Sequence, residues 1–276
     1  MSSLFALVSS LTYGAADFLG GLATRRSDRV FAVVAVSQLA GLAMILALLA
    51  ITGGELVSSD IGWAAGGGVS GALGLVLLYR GLSRGTMSVV APLSAVMTAL
   101  VPVGWGLISG ERPSLLALVG VPTAVAAIAL ISGAATGLRD GLGPGVGSGI
   151  LAGVGFGVFF ILLAETESAE LWTLTFARTA SITLLVVLAV ATGSSLRPGT
   201  GTGRLVLGAG ALDMAANVFF LLAERRGLLS LVSVITALYP AATMLLARFV
   251  LGEQLSRSQL AGLALAAAGV GMIAGG

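Results

Sequence analysis

The chain of 276 residues contains no cysteine, no histidine and no lysine, and only 9% of its residues are charged. Without cysteine there is no disulfide framework, no thiolate nucleophile and no thiolate metal site. Without histidine the commonest metal ligand and general base is missing too. No metal or cofactor site is expected. No Gly-Lys-Ser/Thr phosphate cradle occurs, which argues against ATP drive by this chain. Ordinary soluble domains carry about 25% charged residues; twenty-six charges cannot clothe a water-facing surface of this size. The fourteen arginines are scattered in short clusters and give a formal balance of only +2, so nucleic acid is not expected as a partner.

Apolar sequence fills the space left by charge. Hydrophobic residues make up 57% of the chain, and the outer solvent is therefore a lipid bilayer, with an inner (plasma) membrane as the expected location. A spanning helix needs roughly 20 mainly apolar residues. Cutting at charge and Gly/Pro clusters predicts ten spans, at about 2–23, 30–52, 61–80, 86–109, 114–134, 145–164, 170–192, 203–223, 228–251 and 256–275. The first span has no positively charged start or clear cleavage site and reads as a retained helix. Stretches such as 31–51 are apolar on every face, unlike barrel strands, so the spans are helices that satisfy their own backbones. Forty-one glycines, with spacings such as Gly67 and Gly71, favour close helix packing.

The chain is also repetitive. At an offset of 142 residues, Arg84-Gly85, Gly110-Glu111 and Ser114 recur as Arg226-Gly227, Gly252-Glu253 and Ser256, and Gly66, Gly68, Ser88, Gly120 and Gly133 fall on Gly208, Gly210, Ser230, Gly262 and Gly275. The fold class read from this is an all-α integral membrane protein of two five-helix repeats, 1–137 and 143–276. An odd number of spans per unit turns the second copy upside down, the inverted-repeat plan of secondary transporters with a site near the midplane. The two halves enclose that interface together, so one chain suffices for it and the sequence sets no oligomeric state.

Tyr239-Pro240 followed by Gly252-Glu253-Gln254 and Leu260-Ala261-Gly262, with Gly110-Glu111-Arg112 and Gly120 in the first half and Tyr13-Gly14-Ala15-Ala16-Asp17-Phe18 in the first span, resembles the EamA family of the drug/metabolite transporter superfamily. Thr98 stands where that pattern has its proline in the first half. The resemblance implies ten helices, a central cavity lined by spans 1, 3, 4, 6, 8 and 9, cytoplasmic termini, and transport of amino acids, other metabolites or drugs.

Ionisable groups inside a span are functional candidates by default. Asp17 lies in span 1, Arg178 in span 7, and Asp213 with Asn217 in span 8, four residues apart on one helical face. Asp213 could take up a proton or bind an amine, or simply pair with Arg178; Asp17, nearer its helix end, could serve the cavity or snorkel beside Arg25 and Arg26. Arg178 aligns with Gln38 at an offset of 140, and pairing or anchoring is favoured for it. Tyr13, Tyr79 and Tyr239, with Phe156 and Phe160, could offer aromatic surfaces to a cationic solute. Glu111 and Glu253 read as helix caps, and Glu165, Glu167 and Glu170 as a solvated loop. The functional reading is a secondary transporter, an exporter of a small organic solute with protons as coupling ion through Asp213 or Asp17. A lipid flippase or membrane assembly protein of the same architecture is the alternative, and an intramembrane enzyme is disfavoured.

Ten spans place both termini on one side. If Met1 is cytoplasmic, the inner loops hold Arg112, Arg225 and Arg226, while the outer loops hold Arg25, Arg26, Arg29, Arg80, Arg84, Arg139, Arg197, Arg204 and Arg257. The positive-inside rule then prefers outside termini, against the resemblance.

Overall fold

The computed structural model describes residues 1–27, 30–84, 87–132, 146–197, 199–252 and 254–276. Those residues form eleven helices and no strand: α1 (Ser2–Ser27), α2 (Val30–Thr52), α3 (Asp60–Arg84), α4 (Met87–Ile108), α5 (Leu115–Ile131), α6 (Val146–Ala164), α7 (Glu170–Thr192), α8 (Gly203–Glu224), α9 (Leu229–Thr236), α10 (Tyr239–Leu251) and α11 (Arg257–Gly275). Eight helical stretches among them are long and apolar enough to cross a membrane, and two more apolar stretches, Leu93–Ile108 and Leu115–Ile131, are shorter.

The ninth span is one membrane crossing made of two helices, α9 and α10, with the break at Ala237 and Leu238. Pro240 sits at the start of α10, where its missing N–H cannot continue the ladder from α9. The matching α4 is continuous through Thr98, whose hydroxyl donates to the Ser94 carbonyl at 2.8 Å. The one position where the first half departs from the proline pattern is thus the position where the two repeats differ in backbone.

Elsewhere the repeats match in three dimensions. A Cβ on Gly68 of α3 would collide with the carbonyl of Ala177 in α7, and one on Gly210 of α8 would collide with the carbonyl of Ser37 in α2. The same exchange relates Gly120 of α5, lying against Ile273 of α11, to Gly262 of α11, lying against Ile131 of α5. Each contact joins one repeat to the other, so each half completes its packing with helices of its partner. Small residues permit this, because lipid tails give apolar helices no hydrophobic reason to associate and close van der Waals contact supplies it.

Helix ends also repeat. Ser114 and Ser256 accept the N–H of Ala117 and Gln259, capping α5 and α11. Gly193 and Gly252 end α7 and α10 in the left-handed conformation, φ 65° and 73°, that glycine adopts without a Cβ penalty.

Both termini lie on one face. A Cβ on Gly227 would meet Ser2, and one on Gly276 would meet Ser114. The turns 53–59, 109–114, 165–169 and 225–228 share that face, and among the described residues the stretch 193–197 after α7 lies on the other.

Candidate functional site

Asp213 and Asn217, neighbours on α8, have different fates. Asp213 Oδ2 accepts from Arg178 Nη2 of α7 at 2.5 Å, with the two side chains 37% and 12% accessible. A lone guanidinium in a span would be costly; paired, its charge is cancelled where it is made. Asn217 is buried, and its amide donates to the Asp213 carbonyl at 2.8 Å. It braces α8 and does not face the cavity.

Asp17, on α1, has different surroundings from the Arg178–Asp213 pair. Helix α1 runs to Ser27, four residues beyond the expected end, so Asp17 sits about 15 Å from the helix terminus at 1.5 Å per residue, with its side chain exposed on the helix surface. It lines a cavity of about 390 Å³ together with Ala95 of α4, Ser132 after α5, Tyr239 and Thr243 of α10, and Gln259 of α11. Among the described residues no arginine pairs with it. The cavity runs toward the face away from the termini, past Leu251 and Gln259.

One turn before Asp17, toward the termini, an aromatic floor closes the cavity. Tyr13 lies 6.5 Å, ring centre to ring centre, from Tyr239 and 6.4 Å from Phe160, which stacks on Phe220 at 4.2 Å.

The remaining sequence candidates fall outside this cluster. Gln38 accepts from Ser181 of α7 at 2.9 Å and ties α2 to the other repeat. The side chain of Tyr79 lies outside the described residues, as do Arg25, Glu253 and 133–145. Among the described residues, α5 and α11 contribute to the lining of this cavity, and none of the lining residues comes from α3, α6 or α8. Ser132, Thr243 and Gln259 were not anticipated. Thr243 was within reach, because it follows Tyr239 by one helical turn; Gln259 was hidden by its role in the Ser256 capping box.

Below the aromatic floor the termini-side face is sealed by polar contacts between the repeats. Asp60, at the start of α3, is buried and accepts the N–H groups of Glu167 and Ser168 at 2.7 and 2.6 Å and the Ser168 hydroxyl at 2.8 Å. Arg225 pairs with Glu170 at 3.2 Å and donates to the Ser168 carbonyl. Trp105 donates to Glu165 at 3.2 Å. The acids expected to be a solvated loop are thus partly engaged, because the loop that carries them is clamped against the first repeat. Glu111 is a cap, but for the other repeat: its carboxylate accepts the N–H groups of Leu229 and Ser230 at 2.6 and 3.1 Å, at the start of α9.

Among known proteins, the family model of the EamA-like transporter family matches residues 1–133 and, again, 143–275. No curated protein matches. A crystal structure of a protein with 21% sequence identity superposes with a TM-score of 0.80 over 99% of this chain and 98% of its own. At that identity the likeness is one of fold.

Proposed function

We propose that this chain, which belongs to the EamA-like transporter family, exports a small organic cation by alternating access, in exchange for protons taken up on Asp17. The reading rests on one observation: Arg178 already holds Asp213, so the carboxylate left to the cavity is Asp17. A single carboxylate in the cavity holds a cation or a proton, not both. Competition for one group couples outward solute to inward protons without further machinery. Tyr239 beside Asp17 offers a π-face and hydroxyl to an ammonium with an aromatic or aliphatic body, each cation–π contact contributing about 1–2 kcal/mol when desolvated. The cavity volume suits a solute of drug or metabolite size.

Alternation follows from the repeats. The cavity occupies the half away from the termini, and the polar seal around Asp60 and Ser168 occupies the other; rocking one repeat against the other exchanges open and closed ends. The test is flux of labelled aromatic and aliphatic amines, with amino acids as comparison, in proteoliposomes with and without a pH gradient. Gradient-driven amine flux is expected in the parent, lost in D17N and retained in D213N. Undiminished flux in D17N would overturn the Asp17 assignment.

A further inference from the structure

The glycines at which helices touch sort the helices into groups that cut across the repeats. Gly14 of α1 lies against Tyr239 and Ala242 of α10, Gly20 of α1 against Ala209 of α8, and Gly41 of α2 against Gly210 of α8. Gly71 of α3 lies against Phe159 of α6, Gly153 and Gly157 of α6 against Met97 and Val101 of α4, and Gly68 of α3 against Ala177 of α7. One group is therefore α1, α2, α8 and the α9–α10 span; the other is α3, α4, α6 and α7, while α5 and α11 pair with each other. Among the described residues, no glycine within a helix meets a helix of the opposite group. Hydroxyls that donate to a carbonyl of another helix obey the same division: Ser9 to Ala216 at 2.8 Å and Thr243 to Gly14 at 3.0 Å in the first group, and Ser70 to Gly155 at 2.8 Å in the second. The groups meet through longer side chains, in the Arg178–Asp213 and Arg225–Glu170 pairs, in the Ser181–Gln38 hydrogen bond at 2.9 Å, and where the Glu111 carboxylate takes the N–H of Leu229.

Close backbone approach at glycine tolerates little sliding, whereas an ion pair or a side-chain hydrogen bond opens and re-forms. The offset that relates the repeats also exchanges the two groups, because α1, α2, α3 and α4 fall on α6, α7, α8 and α9–α10. A shift of one group against the other has, by that exchange, a second packing of the same kind as its end point, open at the termini face, with each residue where its mate stands now. Ala95, Tyr239, Pro240 and Thr243 of the cavity have Ala237, Met97, Thr98 and Val101 as mates at 142 residues, and Asp17 has Phe160 at 143. Thr98, Phe160 and Ala237 are buried now.

Resting on the alternating-access reading above, we propose that transport parts these two mixed groups, and that Met97, Thr98, Val101, Phe160 and Ala237 line the solute path when the termini face is open. The rocking of the repeats is thereby carried by bodies that each hold helices of both repeats, and the glycine contacts between repeats survive it.

Native cysteine is absent, so disulfides test the division directly. A Cβ on Gly20 lies 3.9 Å from that of Ala209, and one on Gly71 lies 3.7 Å from that of Phe159, within the range of about 3.5–4.5 Å that a disulfide spans. G20C/A209C and G71C/F159C each join the repeats inside one group, whereas E111C/S230C, closed with a short bis-methanethiosulfonate linker, joins the groups. In proteoliposomes the two oxidised proteins are expected to keep the amine flux of their reduced forms within about twofold, and linked E111C/S230C to lose it about tenfold until reductant is added. Reversible loss of flux in either disulfide overturns the proposal, as does full flux in the linked protein. If no protein moves amines, the transport reading fails and thiol labelling in detergent decides the division. T98C and A237C are then expected to react with a small charged methanethiosulfonate faster than S9C, which is buried between α1 and α8. Reaction no faster than that of S9C overturns the proposal.

Discussion

Replacing Arg178 and Asp213 separately and together tests whether their contact is a mutual dependence or a coincidence of two polar groups. The guanidinium and carboxylate meet at 2.5 Å. Unit charges about 4 Å apart at an effective dielectric near 20 attract by about 4 kcal/mol. Asp213 is 37% accessible and therefore partly screened, which brings the expected coupling to about 2 kcal/mol. R178M leaves a carboxylate without its cation, and D213L leaves a guanidinium, 12% accessible, without its anion. Each single change is expected to lower the unfolding midpoint in detergent by about 3 °C, using about 2–4 °C per kcal/mol as an upper guide and allowing for relaxation of the freed group. The double variant, apolar at both positions, is expected to unfold within about 1 °C of the parent, because replacing a buried pair by apolar residues is often neutral. Thermal unfolding followed by fluorescence of Trp172 and its neighbours reads all four proteins. If the double variant falls by the sum of the two single drops, the pair is not coupled. Asp213 would then be as available to the cavity as Asp17.

Three further expectations concern the seal and the packing. D60A strips the Glu167 and Ser168 amides of their acceptor, at about 1–3 kcal/mol for each stranded group, and those two amides are expected to exchange hydrogen at least tenfold faster; unchanged exchange would mean that the loop is held by something else. E111A removes a charged cap from α9 and is expected to cost about 1–2 kcal/mol of stability, with E111Q recovering about half; thermal unfolding of the three proteins decides it. G210A puts a methyl group into the Ser37 carbonyl and forces α2 and α8 apart. Overpacking of this kind costs about 1–3 kcal/mol, whereas Ala at Gly62, where nothing lies within 4 Å, is expected to leave the midpoint unchanged.

The spans were legible because each is a long apolar run ended by a visible signal. Ser114 and Ser256 announce α5 and α11, and Gly193 ends α7. The repeat was legible because its signature residues, Gly68 with Gly210 and Gly120 with Gly262, are those on which the interlocking of the halves depends. The site was legible only in part. Polar residues in lipid stand out one by one, so Asp17, Arg178 and Asp213 could be named. Which of them meet could not be read, because α7 and α8 present many faces and the register between them is set by packing. Asp60 went unread for a related reason: a carboxylate at a helix start looks like a local cap, and its partners lie more than a hundred residues away, at Glu167 and Ser168.

Sequence alone determined that lipid surrounds the chain, that ten helices cross it, that one half is the inverse of the other, and where its arginines fall between the spans. These follow from hydropathy, from an odd count of spans per repeat and from the order of residues, all of which are local or periodic properties. Tertiary structure decided that Arg178 holds Asp213, that Asp17 is left to the cavity, that Glu111 caps a helix of the other repeat, and that the bundle is closed at the termini face. Each is a contact between residues distant in the chain, and the close approach of helices at glycine, which fixes rotation and depth together, selects which distant side chains can touch.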